Sequence, residues 1–264
     1  MKNLKKHFYK KKIIITGHTG FKGSWLTLWL QSYGAKIYGI SNGYPSNPSN
    51  FKILRLSDKI NHKIMDLRNL SKLKKMINKI KPDYIFHLAA QSLVKESFEN
   101  PINTFTSNSI GTCNVLESIR HLKNKCVVII ITSDKSYKNL EIKRGYHEED
   151  LIGGIDPYSA SKASIELIAK AYIESFFLKR NNIGVSTARA GNVIGGGDWS
   201  SKRLIPDVVK SLLNNKKILI RNPNFNRPWQ LVLEPLKGYL ILAKKQFEKP
   251  KIYSGAWNFG TNPR

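Results

Sequence analysis

Cysteine is nearly absent. The 264 residues hold only Cys113 and Cys126, which form no CxxC pair and are too few for a disulfide framework. Both read as buried free thiols, which fits a reducing compartment and a cytoplasmic location. No metal site is expected. No run of ~18 apolar residues occurs, so no membrane span is expected. The N-terminus is basic and then apolar, but Gly17, His18, Gly20 and Lys22 interrupt the run, which makes a poor signal peptide. Internal repeats and low-complexity segments are also missing. Acidic residues are scarce, 18 against 44 Lys and Arg, giving a formal charge of +26. A charge of that size can draw nucleic acid, an anionic membrane or a phosphorylated substrate. No aromatic–basic stacking motif accompanies it, and the lysines are scattered, so nucleic acid and membrane are not expected partners. The densest run, Lys5-Lys6 and Lys10-Lys11-Lys12, predicts a solvated N-terminal arm.

What is present is a hydrophobic share of 41%, with 11 Phe, 11 Tyr and 5 Trp, enough for a sizeable core and too aromatic for a disordered chain. Short β-branched runs alternate with amphipathic stretches. Strands are predicted over Lys12–Thr16, Lys36–Ile40, Asn61–Met65, Tyr84–Leu88, Val127–Thr132 and Gly184–Ala188. Helices are predicted over Phe21–Tyr33, Leu70–Ile80, Pro101–His121 and Tyr158–Lys179. Near-continuous apolar strands between helices imply an α/β fold, a doubly wound parallel sheet covered on both faces. After Arg189 the pattern weakens into a Gly- and Pro-rich stretch. This divides the chain into a Rossmann domain over 1–188 and a smaller substrate lobe over 189–264, with helices near Arg203–Leu213 and Leu233–Lys245 and a strand within Trp257–Arg264.

The first strand runs into Gly17-His18-Thr19-Gly20-Phe21-Lys22-Gly23, a G-x-x-G-x-x-G turn that opens a helix. Gly17 serves the tight turn, Gly20 lets backbone approach a pyrophosphate, and Gly23 lets the helix pack closely. No G-K-[ST] follows, which disfavours ATP hydrolysis. The acidic residue that would grip an adenosine ribose after strand two is missing, since Ser41-Asn42-Gly43 stand there, and no Arg welcomes a 2′-phosphate. This criterion leaves NAD and NADP open. Asp66, after strand three, reads either as a partner for the adenine amino group or as a cap or turn residue. Ala89-Ala90-Gln91 would let backbone crowd a cofactor, or simply pack. Asn108 reads as a holder of water or a backbone carbonyl, or as a surface residue.

Tyr158 and Lys162 lie four apart on one predicted helix face, where a lysine cation would lower the phenol's proton affinity and make it a usable base. Thr132-Ser133-Asp134-Lys135-Ser136-Tyr137 ends strand five, where ligands bind such sheets.

GHTGFKG, HLAAQ, SNSIGTCNVLE, TSDKSY, YSASK and ARAGNVIGGGDW occur in the order found in extended short-chain dehydrogenases. With the later RLIPD and RPWQLVLEP segments, the chain from Lys12 onward resembles the nucleotide-sugar 4,6-dehydratases, most closely those acting on CDP-glucose. The resemblance implies tightly held NAD and an internal redox cycle yielding CDP-4-dehydro-6-deoxy-glucose. It implies a catalytic set of Ser133 (hydrogen-bond donor), Asp134 (general acid), Lys135, Tyr158 (base at the 4-hydroxyl) and Lys162 (also the nicotinamide ribose). Lys135 stands where the dTDP-glucose relatives carry a Glu base. It would act as a neutral base or as a cation beside the enolate. The implied cofactor wall adds Gly17, Thr19, Gly20, Phe21, Lys22, Gly23, Asp66, Leu67, Leu88, Ala89, Ala90, Asn108 and Thr132. Gln91, Asn192, Arg203, Arg221 and Arg227 are the implied substrate grips, and Arg189 is implied beside Asn192 at the substrate floor. Relatives continue beyond residue 264, so the lobe is expected to be partial. A homodimer through the helices starting near Pro101 and Pro157 is also implied, although Val115, Leu116, Ile119, Ile165 and Ile168 read by default as packing on the sheet. The rival readings are a 4-epimerase or a dehydratase of another nucleotide-sugar, and a non-catalytic NAD-binding remnant.

Overall fold

The computed structural model of the protein describes residues 2–200, 203–220, 223, 224 and 227–260. Nine strands are assigned among them: β1 (Lys12–Thr16), β2 (Lys36–Ser41), β3 (Asn61–Ile64), β4 (Tyr84–His87), β5 (Cys126–Ile131), β6 (Ile183–Ala190), β7 (Val193–Ile194), β8 (Gln230–Leu231) and β9 (Gly255–Phe259). The α-helices are α1 (Lys2–Phe8), α2 (Phe21–Ser32), α3 (Asn50–Ile53), α4 (Leu70–Ile80), α5 (Val94–Glu99), α6 (Pro101–Phe105), α7 (Gly111–Ile119), α8 (Pro157–Tyr172), α9 (Leu204–Leu213), α10 (Leu233–Glu248) and α11 (Pro250–Tyr253). Seven strands form one parallel sheet in the order β3-β2-β1-β4-β5-β6-β9. β7 and β8 pair separately.

Strand periodicity explains the unbroken apolar runs Ile13-Ile14-Ile15 in β1 and Val127-Val128-Ile129-Ile130-Ile131 in β5. Ile13 and Ile15 enter one hydrophobic cluster and Ile14 the other, and Val127, Ile129 and Ile131 alternate in the same way with Val128 and Ile130. Each face is therefore covered. Leu4 and Phe8 of α1, Leu26 and Leu30 of α2, and Leu236 and Leu240 of α10 cover one face. Leu73 and Ile77 of α4, Val115 and Ile119 of α7, and Ile165 and Ala169 of α8 cover the other. The default packing of Val115, Leu116, Ile119, Ile165 and Ile168 on the sheet is thus observed.

Several expectations are corrected. The basic N-terminus is a docked helix and not a solvated arm, because Leu4 and Phe8 recur on one side of it and bury while its lysines face outward. His7 Nε2 meets the Tyr84 hydroxyl at 2.5 Å, and Lys11 pairs with Asp83 at 3.3 Å. The Trp257–Phe259 strand joins the main sheet beside β6, with Ala188 level with Trp257. The two long helices are interrupted by π turns at Thr106–Ile110 and Ile173–Phe177. Arg189 lies inside β6, one strand position before its end. Cys126 is buried, but Cys113 is only half-buried, with its Sγ 3.5 Å from the Tyr172 hydroxyl. No helix among the described residues is long and apolar enough to cross a membrane.

The docked N-terminus gives a first test. Phe8 is fully buried against the sheet. Phe8→Ala is expected to cost ~3–5 kcal/mol in a denaturant melt, whereas a solvated arm would change by a few tenths.

Candidate active site

The sheet order reverses between β1 and β4, and a cavity of about 1390 Å³ opens at the carboxyl ends of these strands. The turn after β1 shapes its floor. Gly17 has φ of +72°, and a Cβ there would lie 2.6 Å from the Ala89 backbone nitrogen. Only glycine allows both the left-handed backbone and that approach. A Cβ on Gly23 would lie 2.1 Å from the Gly17 carbonyl oxygen, so α2 packs against the turn itself. Gly20 caps α2 with no side-chain hydrogen bond, leaving the first-turn amides of Phe21, Lys22 and Gly23 for an anion at the cavity wall.

Thr19 also lines this cavity, and its Oγ1 donates to the Gly43 carbonyl at 2.7 Å. Ser41 and Asn42 line it where an acidic residue was sought. The Ser41 hydroxyl is held by His18 Nδ1 at 2.9 Å, and His18 Nε2 meets His62 Nδ1 at 2.6 Å. Burial pushes His18 down to about 4, with the His62 charge adding to the shift. Both nitrogens of this imidazole are thereby committed to structure. Asp66 lines the cavity and grips Arg68 through Nε at 3.0 Å and Nη2 at 2.6 Å, which holds its carboxyl below the usual range. Leu67, Leu88, Ala89, Ala90 and Thr132 also reach the wall.

Asn108 does not. It is buried behind the wall, where Nδ2 donates to the Gln91 carbonyl at 3.0 Å and to Ser161 Oγ at 2.8 Å, while Oδ1 accepts from Gln91 N at 2.7 Å. The backbone carbonyl expected of it is Gln91's, and the π turn at Thr106–Ile110 carries it there.

The end of β5 and the start of α8 pack together at the cavity wall, where the Lys162 ammonium meets the Ile131 carbonyl. Ser133, Asp134, Lys135, Tyr158 and Lys162 all line it. Ser133 Oγ donates to Asp134 Oδ1 at 2.9 Å and accepts from Lys135 N at 3.2 Å, which fixes the tight turn. Asp156 caps α8 by accepting from Ser159 N at 3.0 Å, and Pro157 occupies the first helical position. This cap sets where Tyr158 emerges. Burial pushes the Tyr158 phenol up, and the hydrogen bond with Ser133 and the charge of Arg203 pull it back. Lys162 is not among the groups that lower it. Its ammonium donates instead to the Ile131 carbonyl at 3.3 Å. Burial lowers Lys162 to about 8, helped by Lys22 and opposed by Glu166. Lys22 is likewise lowered to about 8, by burial and then by Arg203, with Asp134 opposing.

Of the expected substrate grips, Gln91, Asn192, Arg203 and Arg227 line the cavity, and Arg221 lies outside the described residues. Arg203 reaches Ser92 Oγ at 3.0 Å and Asp198 at 3.3 Å. Arg189 is not at the substrate floor. It is buried against Glu166 at 2.9 Å, because the inward position it occupies on β6 points under α8. Trp199 and Trp229 line the cavity and were not singled out beforehand. They sit inside the GGGDW and RPWQ segments, so the motifs held the signal. Glu166 was also missed, although its spacing from Tyr158 and Lys162, one further helical turn along, was legible.

The family model described as GDP-mannose 4,6 dehydratase matches residues 14–256. The chain is 47% identical over 260 residues to the CDP-glucose 4,6-dehydratase of Salmonella typhimurium, covering 97% of this chain and 72% of that one. It is 29% identical to the dTDP-D-glucose 4,6-dehydratase of Dictyostelium discoideum, covering 98% of this chain and 60% of the relative. Among solved structures, a Bacillus anthracis dTDP-glucose 4,6-dehydratase in complex with NAD superposes with a TM-score of 0.76 at 26% identity, over 96% of this chain and 76% of that one. The epimerase Mth375 of Methanothermobacter thermautotrophicus superposes at 0.85 with 22% identity, over 99% and 75%, and shows the shared fold. With its glycine turn, its sheet order and a family match over nearly its whole length, the chain belongs to the GDP-mannose 4,6 dehydratase family of extended short-chain dehydrogenases.

Proposed function

We propose that the protein is an NAD-dependent lyase that removes water from CDP-glucose to give CDP-4-dehydro-6-deoxy-glucose. One observation carries the reading: Ser133, Asp134, Lys135, Tyr158 and Lys162 line the same cavity as the glycine turn. The high identity to a CDP-glucose 4,6-dehydratase supports the choice of substrate.

The residues fit a dinucleotide. A Cβ would fill the cradle at Gly17, and uncapped amides open α2 beside it. Ser41 and Asn42 offer neutral polar groups where the adenosine ribose would lie, and Asp66 would accept from the adenine amino group. Lys162 would hold the nicotinamide ribose, and Lys22 stands beside the pyrophosphate amides. The chemistry supplied by bound NAD is reversible hydride exchange with the sugar, oxidising one carbon and reducing another.

Tyr158 takes the proton of the sugar 4-hydroxyl, aided by the Ser133 hydrogen bond and the Arg203 charge that favour its phenolate. Ser133 then donates to the new carbonyl, which acidifies the carbon-5 proton. Lys135 either removes that proton as an amine or steadies the enolate as an ammonium. Asp134 delivers a proton to the departing 6-hydroxyl. Arg203 and Arg227 match the geometry of the diphosphate, and Gln91 and Asn192 complete the sugar's surroundings. Residues 1–188 serve the dinucleotide, and the cavity-lining part of 189–264 serves the substrate.

A homodimer belongs to the same reading. Ile102 is 75% exposed and Leu167 61%, on the outer sides of α6 and α8, and neither has a protein partner there that hides it. Such apolar patches mark interfaces. A cytoplasmic enzyme feeding polysaccharide synthesis agrees with the free thiols of Cys113 and Cys126.

Incubation with CDP-glucose and NAD⁺ is expected to yield a 4-keto sugar nucleotide, read by its absorbance in alkali. Product from another nucleotide-sugar but none from CDP-glucose would remove the substrate assignment. Asp134→Asn is expected to lower dehydration by about 10²–10⁴-fold while carbon-4 oxidation persists, an outcome that a simple epimerase would not give.

Cofactor binding has its own pH signature. Lys22 and Lys162 both titrate at about 8, so they are cationic below that pH and lose charge as it rises. Calorimetry is expected to show NAD affinity falling by roughly tenfold between pH 7 and pH 9.5. A flat profile would mean that neither ammonium meets the cofactor. Ile102→Glu with Leu167→Glu is expected to convert a dimer to a monomer in sedimentation velocity.

A further inference from the structure

Tyr158, Lys162 and Glu166 lie on successive turns of one face of α8. The first two reach the cavity, and the third does not. Glu166 is buried beneath it, with a side chain 4% exposed. Its Oε1 accepts from Thr132 Oγ1 at 2.5 Å, and its Oε2 accepts from Thr187 Oγ1 at 2.6 Å and from Arg189 Nη2 at 2.9 Å. Arg189 Nη1 in turn donates to the Tyr137 hydroxyl at 2.6 Å and the Glu148 carbonyl at 3.0 Å. The Tyr137 hydroxyl donates to Asn258 Oδ1 of β9 at 2.7 Å. One carboxylate thus ties α8 to the ends of β5 and β6 and, through Arg189, to β9.

Two features exceed what a structural staple needs. Thr132 immediately precedes Ser133 and Asp134, so the bond to its hydroxyl fixes the strand end from which the tight turn starts. Lys162 and Glu166 also reach consecutive residues, Ile131 at the end of β5 and Thr132 just after it. We propose that Glu166 is a positioning residue for the catalytic set, anchoring the end of β5 through Thr132 and balancing the charge of the Lys162 ammonium from one helical turn below. The proposal rests on the catalytic reading of Tyr158 and Lys162 above.

The charges around Lys162 agree. Lys22 from α2 repels it, and Tyr158 lies on its own helix. His87 from β4 is kept neutral by burial, with Lys162 adding to the downward shift. Glu166 is the group that raises the proton affinity of Lys162 against burial. Without it, Lys162 would lose its proton at lower pH, and its grip on a ribose would weaken there first.

Two variants separate the two roles. Glu166→Gln keeps the shape and an acceptor toward Thr132 but removes the charge. Thr132→Val keeps the charge and removes the anchor. In Glu166→Gln, the ¹³Cε resonance of Lys162 is expected to titrate about half a pH unit or more below wild type, and NAD affinity is expected to fall off with rising pH from a correspondingly lower point. In Thr132→Val, that titration stays in place while kcat for CDP-glucose falls about tenfold with KM little changed, and Thr132→Ser restores it. An unmoved Lys162 titration in folded Glu166→Gln overturns the charge role. Wild-type kcat in Thr132→Val overturns the anchoring role, and that variant alone decides it if Glu166→Gln does not fold. If CDP-glucose is not a substrate, the Lys162 titration and NAD affinity still report on Glu166, so the two failures are distinguishable.

Discussion

The close approach of the β1 turn to the end of β4 governs the rest of the molecule. A parallel sheet whose order reverses between these strands leaves a crevice at their carboxyl ends. The crevice is usable only if the chain leaving β1 turns sharply without filling it. Gly17 makes that turn in a left-handed backbone, so near Ala89 that a Cβ would lie 2.6 Å from its backbone nitrogen, and Gly23 lets α2 close over the turn. The first amides of α2 then look into the crevice. β5 is the next strand along and α8 packs beside its end, so Ser133, Asp134, Lys135, Tyr158 and Lys162 meet the same space.

Into that space the protein places more cations than it can neutralise. Lys22 and Lys162 are desolvated, and neither forms an ion pair among the described residues. Arg203 uses Asp198. Groups of this kind raise the free energy of the ligand-free fold, since each gives up water without full compensation. Anionic ligands supply the missing partners. This local excess differs from the formal +26 of the whole chain, most of which lies on exposed lysines. The buried pair Glu166–Arg189 shows the contrary case, a charge removed from water but surrounded by donors. Removing one side of such a pair typically costs ~3–5 kcal/mol.

Much of this architecture was legible in the sequence because two periodicities are strong. The apolar runs of β1 and β5 are short and β-branched, which marks strands covered on both sides, and the spacing in α4 and α8 marks helices. The glycine turn announced its place by standing between them. What stayed hidden depended on distant partners. Lys2–Phe8 is rich in lysine, and only the sheet face that receives Leu4 and Phe8 makes it a docked helix. Trp257–Phe259 joins the main sheet through pairing with β6, a contact that no local pattern encodes. Arg189 was misjudged for the same reason: its charge suggested a ligand, while Glu166 on the inner face of α8 takes it. Asn108 stood in the right neighbourhood, and the π turn that sends it behind the wall left no mark in composition.

Reaction type is a separate matter from fold, since epimerases and dehydratases superpose on this chain about equally well. Both chemistries need a dinucleotide crevice and a phenol at its edge, and the α2 turn and Tyr158 of α8 line one cavity here. Dehydration asks for two further groups, one that takes a proton from carbon 5 and one that gives a proton to the 6-oxygen. Both must reach the same cavity as the phenol. The end of β5 meets that demand, because a tight turn pinned by Ser133 projects Asp134 and Lys135 side by side into the space. In the proposed reaction the sheet therefore supplies the oxidation, and three consecutive residues beyond one strand decide whether water leaves.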